Sequence, residues 1–252
     1  SGTATVFSNT VGDLSFGVGT TTGLVTGIYV SLSTPNNIYK NKIYNLSANQ
    51  SGGSINAINV ASGTTSNVYN NMITGLITPA ASGTNAIIGI NISGGTNVNI
   101  IYNTIFPSNA GSLTSSGSSF GGCGIYVSST VNTAIQNNII NISGSAITGY
   151  FSAIKRSTGT TGVNPTNLTL SNNIYNSTYI YGEGVTESSA TNLYYINSGA
   201  FGTADPSFNT SCGVFKSWKG DVGSFYENNL TGSNGVFAPT GSSYAEGAAS
   251  IS

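Results

Sequence analysis

Val68-Tyr69-Asn70-Asn71-Met72-Ile73 is the third copy of a pattern that recurs along two thirds of the chain. The other copies are Val6-Phe7-Ser8-Asn9-Thr10-Val11, Ile38-Tyr39-Lys40-Asn41-Lys42-Ile43, Ile100-Ile101-Tyr102-Asn103-Thr104-Ile105, Ala134-Ile135-Gln136-Asn137-Asn138-Ile139 and Thr169-Leu170-Ser171-Asn172-Asn173-Ile174. Aligned on Asn-x-Ile/Val, the asparagines Asn9, Asn41, Asn71, Asn103, Asn137 and Asn172 advance by 32, 30, 32, 34 and 35 residues. A period that drifts in this way marks a solenoid, in which loops of unequal length join equivalent strands.

A second set of strands keeps step with the first: Gly27-Ile28-Tyr29-Val30, Ala57-Ile58-Asn59-Val60, Gly89-Ile90-Asn91-Ile92, Gly124-Ile125-Tyr126-Val127 and Ala153-Ile154-Lys155-Arg156. Each is a short β-type run opened by a small residue and separated from the next by Gly, Ser, Thr and Asn. Gly121-Gly122-Cys123-Gly124 reads as part of such a turn, without the helix and Lys that a phosphate loop needs.

Alternation with period 2 through each Asn puts Phe7, Tyr39, Tyr69, Ile101, Ile135 and Leu170 on the Asn side, together with Val11, Ile43, Ile73, Ile105, Ile139 and Ile174. That side is the interior, so like residues stack as an aliphatic ladder, a partly aromatic ladder and an Asn ladder. An inward Asn at a corner satisfies backbone groups left unpaired there, a structural role with no ligand. The position after each Ile then points outward, where Gly12, Tyr44, Thr74, Phe106, Ile140 and Tyr175 form an apolar stripe, a candidate contact surface for a neighbouring domain or for sugar rings.

The expected fold is all-β: a right-handed parallel β-helix of about six coils over residues 1–182, with an irregular C-terminal cap of the same domain over 183–252. The cap is needed because an open parallel edge would recruit another chain. In it the acids Glu183, Glu187, Asp205, Asp221, Glu227 and Glu246 appear, with Trp218, and the Asn register is lost.

The Asn-Asn-x-Ile-Tyr-Asn and Gly-Ile-x-Val ladders between Val6 and Asn176 resemble the right-handed parallel β-helix repeats of the pectate-lyase-like superfamily. They are most similar to the long Asn/Gly/Thr-rich surface proteins of Bacteroidota exported by the type IX route. The tail, with Asn192-Leu193-Tyr194-Tyr195 and Phe215-Lys216-Ser217-Trp218, is similar to the segment that closes such helices. The resemblance implies a fold far more narrowly than a function, since the superfamily spans lyases, glycosidases, phage tailspikes and adhesins.

The chemistry of the chain narrows those choices. A glycosidase needs two carboxylates about 5 to 9.5 Å apart, yet no Asp or Glu stands between Asp13 and Glu183. A calcium-dependent lyase lacks its acidic cluster for the same reason. The chain has no His, which closes Ser-His-Asp, Cys-His and His-metal arrangements. No catalytic residue, cofactor or metal site is expected. Lys40 and Lys42 read as a solubilising pair.

Only 5% of residues are charged and the net charge is −1, which gives no field to hold nucleic acid. No apolar run is long enough to insert in a membrane. The first residues lack the features of a signal peptide, so the chain is expected to begin after processing or inside a longer protein. For Cys123 and Cys212 a disulfide, two buried thiols or one of each remain open. The expectation is a non-catalytic structural or adhesive module, secreted or on the cell surface, whose partners are neighbouring domains or surface glycans. A polysaccharide-active enzyme or a degenerate relative is the main alternative. An ice-binding β-helix is a third, weakened by outward columns (Tyr29, Asn59, Asn91, Tyr126, Lys155) that carry no repeated Thr-x-Thr.

Overall fold

A computed structural model describes residues 2–81, 85–107, 120–128, 130–142, 150–157, 167–176 and 179–183, and the backbone of short strands between 193 and 239. Among the described residues there is no helix. The strands are β1 (Ala4–Phe7), β2 (Thr10–Val30), β3 (Asn36–Tyr39), β4 (Lys42–Val60), β5 (Thr65–Tyr69), β6 (Met72–Thr74), β7 (Leu76–Ile77), β8 (Ile87–Ile92) and β9 (Asn97–Ile101). They continue with β10 (Thr104–Phe106), β11 (Phe120–Val127), β12 (Asn132–Gln136), β13 (Ile139–Asn141), β14 (Tyr150–Arg156), β15 (Leu168–Ser171), β16 (Ile174–Asn176) and β17 (Tyr179–Glu183).

Every stacking contact in the body is parallel. One column runs β1, β3, β5, β9, β12, β15. A second runs from the start of β2 through the start of β4 to β6, β10, β13 and β16. A third joins the ends of β2 and β4 to β8, β11, β14 and β17. The result is a parallel β-solenoid of about four turns, fewer than the six coils suggested by the copies of the repeat. The later copies stack as well, but the chain joining their strands runs in part outside the described residues.

The corner between the first two columns explains both the repeat and a departure from simple alternation. Ser8, Lys40, Asn70, Tyr102, Asn137 and Asn172 all have φ between 53° and 57°, the left-handed conformation that Asn tolerates better than most residues. A residue in this conformation turns the chain and inserts one extra outward side chain. In the second level Ile38 is buried, Tyr39 half-buried, Lys40 exposed, Asn41 buried, Lys42 half-buried and Ile43 buried. The interior ladder before the corner is therefore Val6, Ile38, Val68, Ile100, Ile135 and Leu170. Phe7, Tyr39, Tyr69 and Ile101 face outward, contrary to the uniform period-2 reading. Of the six residues assigned inward before the corner, Ile135 and Leu170 alone face inward.

Beyond the corner, Val11, Ile43, Ile73, Ile105, Ile140 and Tyr175 stack in register. Opposite them lies the small-residue column. A Cβ on Gly124 would sit 2.5 Å from Ile140 Cγ2 and 2.8 Å from the Ala153 carbonyl oxygen. The Gly121–Gly124 stretch therefore lies inside strand β11 and not at a turn: the solenoid is too narrow there for a larger side chain. The expected irregular cap lies mostly outside the described residues. Part of it is strand: Cys212–Trp218 pairs antiparallel with Asp221–Glu227, which runs parallel to β15 and β16.

Candidate functional site

Each corner leaves one backbone N–H pointing along the stack, and an Asn of the following level receives it. Asn9 donates through its backbone N (3.1 Å) and Nδ2 (2.9 Å) to Asn41 Oδ1. Asn41 does the same to Asn71 Oδ1 (3.1 and 2.9 Å), Asn71 to Asn103 (3.0 and 3.0 Å), Asn103 to Asn138 (2.9 and 3.0 Å) and Asn138 to Asn173 (3.0 and 3.0 Å). The second Nδ2 proton returns to the preceding level, from Asn41 to the Val6 carbonyl, Asn71 to Ile38, Asn103 to Val68, Asn138 to Ile100 and Asn173 to Ile135. Each interior amide is thus a donor and acceptor spent entirely on the protein. At about 1 kcal/mol net per bond, stranding its partners would cost more than the bonds contribute.

Two expected ladder members are corrected. Asn137 and Asn172 hold the left-handed corner positions, and Asn138 and Asn173, both fully buried, are the ladder residues. The one-residue slip also overturns the contact stripe. Ile140 and Tyr175 are fully buried because they belong to the interior Ile column. Thr74 and Phe106, paired across β6 and β10, are 2% and 7% exposed, so they offer no surface either. Gly12 and Tyr44 are the half-buried members of the stripe, and the Tyr44 hydroxyl donates to Asp13 Oδ2 (3.2 Å) with Lys42 Nζ 5.4 Å from its ring centroid. That hydrogen bond, and next the Asp13 charge, raise the Tyr44 hydroxyl above its ordinary pKa.

The outward face of the first column carries what the pattern analysis missed. Phe7, Tyr39 and Tyr69 stack ring on ring, with centroids 5.3 and 4.7 Å apart and planes within 12° and 5°. Beside them Asn99 Nδ2 donates to Asn67 Oδ1, and Asn67 Nδ2 to Asn37 Oδ1, each at 2.9 Å. Farther along lies a shallow depression of about 210 Å³, lined by Asn97, Asn99, Asn132, Thr133, Ala134, Asn167 and Thr169. The signal was present in the sequence as Asn37-Ile38-Tyr39 and Asn67-Val68-Tyr69 before the second and third corners, with Phe7 and Asn99 continuing the two columns. It could be read only once the extra outward residue was known.

This face can hydrogen-bond, and among the described residues its strands carry no carboxylate, His or Cys. Ring stacking occupies both faces of Tyr39 but one face each of Phe7 and Tyr69, and the other side of Tyr69 lies toward Ile101, its partner in β9, so the outer face of Phe7 is the ring surface that opens at the end of the stack. Among the described residues no group of three His, Cys, Asp or Glu stands together. Cys123 is a free, buried thiol, which removes the disulfide alternative. Burial pushes it up to about 12, with the nearby Lys155 charge partly offsetting that. Lys155 is itself fully buried, with Nζ donating to Asn85 Oδ1 at 2.8 Å.

No family model matches the chain, and neither a curated protein nor a solved structure matches it. The parallel β-solenoid rests on the strand pairing alone.

Proposed function

We propose that the chain is a non-catalytic structural or adhesive β-helix module of a secreted or cell-surface protein, in contact with neighbouring domains or surface glycans. One observation carries this reading: the polar and aromatic columns, inner and outer, direct their bonds and ring faces at the next coil along the axis. A side chain already committed to its own stack is poorly placed for proton transfer, whereas it stiffens a module whose outer surface meets other molecules. The absence of any carboxylate between Asp13 and Glu183 supports the same choice over polysaccharide cleavage.

Incubation with soluble polysaccharides, followed by assay for new reducing ends or unsaturated uronates, tests the reading. No turnover above a buffer blank is expected. Turnover that survives repurification would make the chain an enzyme and overturn the proposal.

A further inference from the structure

We propose that the N-terminal end of the stack is a docking surface for one more coil of the same kind, a pair of parallel strands joined by a corner asparagine. Among the described residues β1 and β2 pair with β3 and β4 alone, so their opposite edge carries no strand. The core opens to solvent there. Leu14 is 41% exposed above the fully buried Leu46 and Leu76, and Phe16 is 44% exposed above the fully buried Ala48.

The ladder gives this end a direction. Every later Asn takes two bonds on Oδ1 from the level before it and returns an Nδ2 proton to a carbonyl of that level. Among the described residues, Asn9 has neither: nothing donates to its Oδ1, and Nδ2 bonds only forward to Asn41. The complementary partner is a strand pair whose corner Asn donates to Asn9 Oδ1, and whose residue three positions earlier offers its carbonyl to Asn9 Nδ2.

A second copy of the chain fits less well. Head-to-tail stacking needs a bare C-terminal edge, but the strand Asp221–Glu227 already lies parallel on β15 and β16. Edge-to-edge docking about a two-fold axis runs antiparallel, and brings no corner N–H to Asn9 Oδ1.

The inference rests on the structural reading above, yet its test involves neither ligand nor turnover, so each can fail alone. Asn36 pairs with both Ala4 and Ser66, so residues 36–65 span one coil. A copy of that segment is placed directly before Ala4 of the full chain. The added coil is expected to resist protease, to raise Tm, and to slow amide exchange along the outer edge of β1 and β2 about tenfold. Asn9→Ala, mild in the parent chain, is expected to lower the Tm of the extended chain as much as Asn103→Ala does. Proteolytic loss of the added coil with no change in edge exchange would overturn the proposal. So would an equal effect of Asn9→Ala in both chains, or an unextended chain that sediments as a dimer with its β1 and β2 edge protected.

Discussion

The first coil and the interior coils carry the same pattern but stand in different surroundings. Asn9 is exposed and bonds in one direction, while Asn103 is 1% exposed and bonds in both. Val6 and Val11 are half-buried, while their counterparts Val68 and Ile73 are fully buried. In a linear stack the stability of a level comes largely from its two neighbours, so one sequence motif is worth less at an end than in the middle.

The steepest contrast is expected in the aliphatic column. Ile105→Ala, in the centre of the fully buried ladder, should cost about 2 to 5 kcal/mol through lost transfer energy and the cavity left behind. Val11→Ala, with one side open, should cost under about 1 kcal/mol. Urea melts of the two variants check this. Equal losses would mean that the end coil is covered as fully as the middle.

Alkali separates the regions in a second way. Cys123, inside the body, keeps its proton to about 12 in the fold, against about 9 when unfolded. Above pH 9 the unfolded chain releases that proton and the folded one does not. Stability is therefore complete below pH 9 and falls as pH rises toward 12, by up to about 4 kcal/mol. Tyr44 near the open end shifts in the same direction, but its exposure to solvent makes its contribution small. Melts from pH 8 to 11.5 should show the loss, and Cys123→Ala should remove most of it. From pH 4.5 to 7.5 the body should be insensitive, because it holds no His and no acid between Asp13 and Glu183.

A smaller effect tests the corner itself. Asn138→Ala strands the backbone N–H of Asn103 and the carbonyl of Ile100, and should cost about 1 to 3 kcal/mol. Asn137→Gly leaves the ladder intact at a left-handed position that Gly adopts freely, and should stay within about 0.5 kcal/mol. The reverse order would restore the register that the sequence pattern alone suggested.

The architecture was legible because drifting copies of one motif, each with β-type runs, admit few folds other than a solenoid. The inner Asn column was legible at Asn9, Asn41, Asn71 and Asn103, where one apolar residue follows at the second position. It was not at Asn137-Asn138-Ile139-Ile140, where either register satisfies Asn-x-Ile, or at Asn172-Asn173-Ile174-Tyr175, where Asn-x-Ile picks out Asn172 because the inward residue is Tyr175. The outer stack of Phe7, Tyr39 and Tyr69 was assigned to the core because strict alternation has no place for a left-handed residue. The burial of Thr74 and Phe106 depends on how distant parts of the chain come together, which local periodicity does not report.

The stack is held along its axis by asparagines that satisfy one another. Residue-resolved amide hydrogen exchange on the intact protein tests it most directly. The backbone N–H groups of Asn41, Asn71, Asn103 and Asn138, each given to the next side-chain oxygen, should be as protected as the strand amides of Ile73 and Ile105. That of Asn9 at the open end should exchange markedly faster. Exchange of Asn71 and Asn103 at the rate of an exposed peptide would contradict the ladder.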